Sequence, residues 1–212
     1  MPKRGLFITF EGMDGSGKTT QMRRLGERLR VHGRSVLETA EPGGTRIGTQ
    51  IRRILLDAAN QELCPTAELL LYFAARAQNV DEFIRPALAD GKVVLSDRFT
   101  DSTLVYQGCG RGLGAETVIT LDRIACRGLS PDLTLLIDID TETSLARAYA
   151  RNEAVKHNET RMDEQSLDFH RKVYDAYHAL AARESARFRI IDGRLDVDTL
   201  AGEIWKVVEP HV

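Results

Sequence analysis

The stretch Glu11-Gly12-Met13-Asp14-Gly15-Ser16-Gly17-Lys18-Thr19-Thr20 decides the fold. From Gly12 to Thr19 it fits G-x-x-x-x-G-K-[ST] at every fixed position. The glycines let the backbone wrap closely around a phosphate with its N–H groups pointing inward. Lys18 offers a point charge for β and γ phosphates, and Thr19 a hydroxyl ligand for Mg²⁺. The context suits the motif. An apolar run at 6–10 predicts a strand before it, and a helix over 19–32 follows, with Met22, Leu25 and Leu29 at helical spacing and Gly33 as its stop. That helix turns its positive N-terminal end toward the same anion. Gly12, Met13, Asp14, Gly15, Ser16, Gly17, Lys18 and Thr19, with Thr20 beside them, are therefore expected to hold a nucleotide's phosphates, with Lys18 acting on them.

Outward from this loop, short apolar runs alternate with long helical patterns. Strands are expected at 6–10, 93–95, 133–139 and 188–191, with a weaker candidate at 35–37. Helices are expected over 67–90 with a kink or fresh start near Pro86, then over 115–127, 141–151, 163–184 and 197–209. Continuous apolar strands separated by helices imply a parallel sheet with right-handed crossovers. The expected fold is α/β: a three-layer α/β/α arrangement of the P-loop NTPase type, with a five-stranded parallel sheet. Residues 152–160 are polar and carry no apolar period, as a surface loop or a mobile lid would. No repeat or linker divides the chain, so one domain over 1–212 is expected, its small lid lying about 147–162.

Composition excludes several classes. Hydrophobic residues are 42% and charged residues 28% of the 212, a globular balance. The net charge of −2 offers no basic field for nucleic acid. The first apolar run stops at Glu11, too short for a signal core or a membrane span, so no targeting segment and no membrane partner are expected. Cys64, Cys109 and Cys126 form no CxxC pair, and an odd count suits reduced thiols and a cytoplasmic location. The five histidines have no metal-ligand spacing, and four of them are expected on exposed helix faces or ends.

In an α/β sheet, functional residues lie just past the C-terminal ends of strands. There the sequence has Asp97-Arg98, a carboxylate to hold Mg²⁺ (through water or directly) beside a guanidinium for an anionic acceptor. It also has Glu41-Pro42-Gly43-Gly44-Thr45, a rigid turn bearing a carboxylate. The glycine cluster at 108–114 has no strand leading into it and reads as a flexible surface turn, with Arg111 near a phosphate as a further option.

Taken with Phe73-Ala74-Ala75-Arg76 and Tyr106-Gln107-Gly108, these elements resemble thymidylate kinases of the bacterial type, in order and over essentially the whole chain. The resemblance implies ATP-dependent phosphorylation of dTMP to dTDP in dTTP synthesis, with Mg²⁺, in a homodimer. It implies that Arg76 bonds the thymine edge, that Gln107 and Thr103 help read the base, and that Tyr72 or Phe73 stacks on it. Asp14 would contact the 3′-hydroxyl and Tyr106 crowd the 2′ position. Arg52 and Arg98 would hold the acceptor phosphate, near Glu41 and Pro42. Ala40 departs from the family, which usually has arginine there.

An acceptor phosphate with a second pKa near ~6 needs no general base, so positioning and charge neutralisation remain the task. Lys18 and Arg98 supply part of the charge. The phosphate loop carries no arginine at Gly15 or Ser16, so Arg151, or else Arg147 one turn earlier, is expected to bring one with the lid. Arg161 is expected to hold the lid's far hinge through Asp163 or Glu164, and an arginine at Gly15 to replace the lid's, if the backbone there accepts a side chain. Another nucleoside monophosphate kinase, or a non-catalytic nucleotide-binding module, is the alternative reading. A GTP switch would need Asn-Lys-x-Asp, and the sequence has none.

Overall fold

The structure, a computed structural model, describes residues 4–155 and 159–212. Five strands, β1 (Phe7–Glu11), β2 (Val36–Ala40), β3 (Val93–Asp97), β4 (Leu133–Asp138) and β5 (Phe188–Asp192), form one parallel sheet in the order β2-β3-β1-β4-β5. The strands alternate, but both faces are apolar. Ile8, Phe10, Val93, Leu95, Leu135 and Ile137 pack on one side against α1 (Lys18–Val31) and α9 (Val197–Val208). Phe7, Val94 and Leu136 face the other way. They meet α3 (Pro65–Asn79), α4 (Arg85–Ala89), α6 (Ala115–Cys126) and α8 (Leu167–Arg183). Leu25 and Leu29 of α1 are buried, each contributing about 1.5–3 kcal/mol. The expected α/β class and parallel sheet are observed.

Several differences from the sequence expectation bear on the site. The long helix near 67–90 is three pieces: α3, a wide π-type turn (Val80–Ile84) and α4, with Pro86 in the first turn of α4. Pro86 therefore opens a new helix, where its missing N–H costs nothing. The sequence reading also left out α2 (Arg46–Leu56), whose cap is Thr45: its Oγ1 accepts from Gly48 N at 2.9 Å. It left out a short helix, α5 (Thr100–Thr103), running into a second π-type turn (Leu104–Gly110). The glycine cluster is thus partly helical, with Gly108 buried, and Arg111 pairs with Glu68. The helix α7 (Thr141–Val155) runs on into the polar segment expected to be irregular, and residues 156–158 lie outside those described.

Candidate active site

All five strands run the same way, so β1, β2 and β3 deliver their C-terminal ends to one rim. There the chain surrounds a cavity of about 530 Å³. At the loop after β1, Gly12, Gly15 and Gly17 hold φ of 129°, 75° and 94°, conformations that only glycine adopts readily. Lys18 is buried and donates to Met13 O at 2.6 Å and Ser16 Oγ at 3.4 Å, so the loop's own backbone orients its ammonium. Burial, with the nearby Arg98 charge, lowers its pKa to about 8. Gly15, Gly17, Lys18, Thr19 and Thr20 line the cavity, whereas Gly12, Met13 and Ser16 form the loop's buried side. Thr19 Oγ1 donates to Asp97 Oδ2 at the end of β3. A hydroxyl and a carboxylate side by side are hard oxygen donors, a set that fits Mg²⁺.

Arg98 follows Asp97 in a left-handed conformation, φ 70°, costing roughly 1–3 kcal/mol in a residue with a side chain. Its backbone is held on both sides, N–H to Phe10 O at 2.9 Å and C=O from Ser96 Oγ at 2.7 Å. The turn throws the guanidinium into the cavity, where it bonds Asp14 Oδ1 (3.0 Å), Ser102 Oγ (2.9 Å), Tyr177 Oη (3.1 Å) and Tyr106 Oη (3.3 Å). Burial would raise the Asp14 carboxyl, but Arg98, Lys18 and Arg151 together hold it well below the usual carboxylate range. Behind Ser102 and Tyr177 lies Glu11, fully buried, accepting from both hydroxyls and from Phe99 N. Burial, then the Asp101 charge, raises its pKa to about 7. Sequence reasoning missed this support. The signals were Glu11 at the foot of the phosphate motif and Ser102 four residues after Arg98.

At the far end of the cavity, Arg76 from α3 is buried and donates Nε to Glu41 Oε2 (2.5 Å) and Nη2 to Thr103 Oγ1 (2.8 Å). Its Nη1 is buried with no partner among the described residues. Asn79, also unforeseen, donates to the second oxygen of Glu41 at 3.1 Å. Glu41, Pro42, Thr103, Tyr106 and Gln107 all line the cavity. So does Arg52 of α2, which donates to Glu159 Oε2 (2.9 Å) and Pro42 O (3.1 Å). Of the two candidate stacking rings, Tyr72 lines the cavity, but Phe73 does not. Neighbours on a helix point about 100° apart, and Phe73 turns into the core with Leu69 and Val80, its ring 4.9 Å from the Arg76 guanidinium carbon. Ala40, in place of an arginine, lies on the wall.

From α7, Arg147 and Arg151 both reach the cavity. Arg151 Nη2 pairs with Asp163 Oδ2 at 3.0 Å, and Arg147 Nη1 donates to Gly193 O at 3.2 Å. Arg161 does not pair with Asp163 or Glu164 as expected. It is buried, bonding Leu55 O through Nε (2.5 Å) and Glu68 through Nη1 (2.7 Å). Gly15 cannot take an arginine without rearrangement, since a Cβ there would lie 2.7 Å from Ser144 O and 2.8 Å from Arg147 Cβ. Among the histidines, His170 is buried, and His157 lies outside the described residues.

Residues 10–204 match the family described as thymidylate kinase. A thymidylate kinase of Pelobacter propionicus is 52% identical over 201 residues, 94% of this chain and 92% of that one. One of Geobacter sulfurreducens is 50% identical over 96% of both. The crystal structure of a thymidylate kinase from Ehrlichia chaffeensis superposes with a TM-score of 0.76 at 31% identity, covering 97% of this chain and 99% of that one. A phosphate loop, a guanidinium-rich cavity and half of all residues shared along almost the full length lead to one assignment: the chain belongs to the thymidylate kinase family.

Proposed function

We propose that this enzyme phosphorylates dTMP to dTDP with ATP, the two substrates meeting end to end in the cavity. The observation that carries the acceptor assignment is Arg76: two of its nitrogens are committed to Glu41 and Thr103, and Nη1 is buried with no partner. A buried donor left unpaired costs about 1–3 kcal/mol, and a carbonyl on a base edge would satisfy it. Gln107 and Thr103 flank the same edge, and Tyr72 offers the stacking face. Asp14 takes the 3′-hydroxyl, and the Tyr106 ring closes the 2′ side. Arg98, with Arg52, binds the acceptor phosphate near Glu41 and Pro42.

The acceptor oxygen is largely ionised at neutral pH, the second phosphate pKa being about 6, so no side chain has to remove a proton. The loop N–H groups and Lys18 cradle the β and γ phosphates of ATP. Thr19 and Asp97 would hold Mg²⁺, which supplies charge neutralisation on those phosphates when bound. Arg98 aligns the attacking oxygen, and Arg151, or Arg147 beside it, brings further positive charge to the transferring group. Residues 147–162 act as the lid of one domain over 1–212, and the enzyme works as a cytoplasmic homodimer. The test is an acceptor panel at fixed ATP and Mg²⁺: dTMP should exceed dCMP, GMP and AMP by orders of magnitude in kcat/KM. Equal turnover of another nucleoside monophosphate would sink the acceptor assignment.

A further inference from the structure

Glu68 of α3 has no exposed surface and is not on the cavity wall, yet its two oxygens take four hydrogen-bonding contacts from three parts of the site. Oε1 accepts from Gln107 Nε2 at 2.8 Å and from Arg111 Nε at 3.2 Å. Oε2 accepts from Arg111 Nη2 at 3.1 Å and Arg161 Nη1 at 2.7 Å. Burial would raise this carboxyl, but the Arg111 and Gln107 hydrogen bonds and the Arg111 and Arg161 charges keep it below its ordinary value. It is therefore ionised and can only accept.

Two consequences follow from that chemistry. An acceptor-only partner settles which way the Gln107 amide points: its NH₂ must face Glu68, so its carbonyl Oε1, which makes no hydrogen bond among the described residues, is the atom left for a ligand. A carbonyl beside the free Arg76 donor matches a base edge with a donor next to an acceptor, as in a pyrimidine dione. It mismatches a cytosine edge, where the two are exchanged. Meanwhile Arg161, at the C-terminal end of the lid, and Arg111, through Gln165 just beyond it, tie that end to the same carboxylate. Arg161 also bonds Leu55 O, and Arg111 Nη1 bonds Gln165 Oε1 (2.7 Å), whose amide bonds Arg161 O (2.8 Å).

We infer that Glu68 is a positioning residue for base selection: it fixes the polarity of the Gln107 amide and fastens the lid's far anchor to the same point. This rests on the acceptor reading above, with the base at Arg76 and Gln107.

The test is Glu68→Gln, which keeps the shape but gives the site a donor of its own, so that the Gln107 amide is free to reverse. KM for dTMP should rise about tenfold or more with KM for ATP nearly unchanged, and the dTMP/dCMP ratio of kcat/KM should fall by about the same factor. In a cycle with Gln107→Ala, the double variant should be scarcely worse for dTMP than Gln107→Ala alone, because one acts through the other. Glu68→Asp keeps the charge that two guanidiniums need, and serves if Glu68→Gln fails to fold. With a shorter reach to Gln107, it should show the same split in smaller degree. An unchanged dTMP/dCMP ratio, KM values that rise together for both substrates, or additive effects in the cycle would overturn the inference. Wild type assayed beside the variants keeps the two readings apart, since a wild type that fails to prefer dTMP refutes the acceptor assignment itself.

Discussion

The phosphate-loop end of the cavity and the end around Arg76 are built from different material. At the loop, ten consecutive residues supply almost everything: backbone N–H groups, left-handed glycines and a lysine steered by its neighbours Met13 and Ser16. At the Arg76 end, each functional group is held by a residue distant in the chain: Arg76 by Glu41, Gln107 by Glu68, Arg98 by Asp14 and Tyr177. The first design carries the contacts that orient Lys18 within the loop itself. The second concentrates risk in buried charge pairs, where removing one partner strands the other and costs about 3–5 kcal/mol.

Lys18→Ala probes the local design and should have the largest effect on activity. In the proposed mechanism its ammonium acts on charge that develops during transfer, so kcat should fall by about 10³-fold or more with the circular dichroism spectrum unchanged. Near-normal turnover by a folded variant would break the phosphate-loop assignment. Arg151→Ala comes next. Its ground-state partner is Asp163, so dTMP affinity measured by calorimetry should stay within a few-fold while single-turnover transfer drops by roughly 10²–10³-fold. If Arg151→Ala and Arg147→Ala both transfer within a few-fold of wild type, no arginine of α7 assists the chemistry.

Arg76→Ala tests the long-range design. KM for dTMP should rise more than about tenfold while that for ATP hardly moves. The melting temperature should also fall, because Glu41 is left buried with one donor fewer. Equal changes in both KM values would remove Arg76 from base recognition.

The smallest effect concerns Glu11, whose folded pKa of about 7 lies above its ordinary 4.5. The folded state keeps this proton longer than the unfolded chain does, so the group's contribution is full below about 4.5 and is lost as pH climbs through about 7. Stability of the wild type should therefore decline across that window more steeply than that of Glu11→Gln. Denaturant midpoints at several pH values give the two slopes, and parallel slopes would show that Glu11 does not titrate there.

The same contrast explains what could be read in advance. The phosphate loop, the strands and Asp97-Arg98 were legible because their signals are local: glycine spacing, apolar runs and position at a strand end. The helix α2 carried a usable signal, Thr45 before Ile47, Ile51 and Ile54, that the reading of the Glu-Pro-Gly-Gly turn passed over. Segment 100–110 showed no clean helical period because three of its buried residues, Ser102, Thr103 and Gln107, are polar and line the cavity, while Val105 and Tyr106 pack into the core. Arg161 looked like a lid cation because nothing near it in sequence announces Glu68 as its partner. Tyr72 and Phe73 could not be told apart, since two adjacent aromatics give no clue to which face meets the cavity.

Gly15 sits against the first turns of α7, with Ser144 O and Arg147 Cβ in the space a side chain would need. In the language of descent with modification, positions 15, 144 and 147 are one heritable unit. A lineage that gains a side chain at 15 must first shift α7 away. A side chain at 15 and the present position of α7 are thus alternatives, and the loop and the helix can only change together.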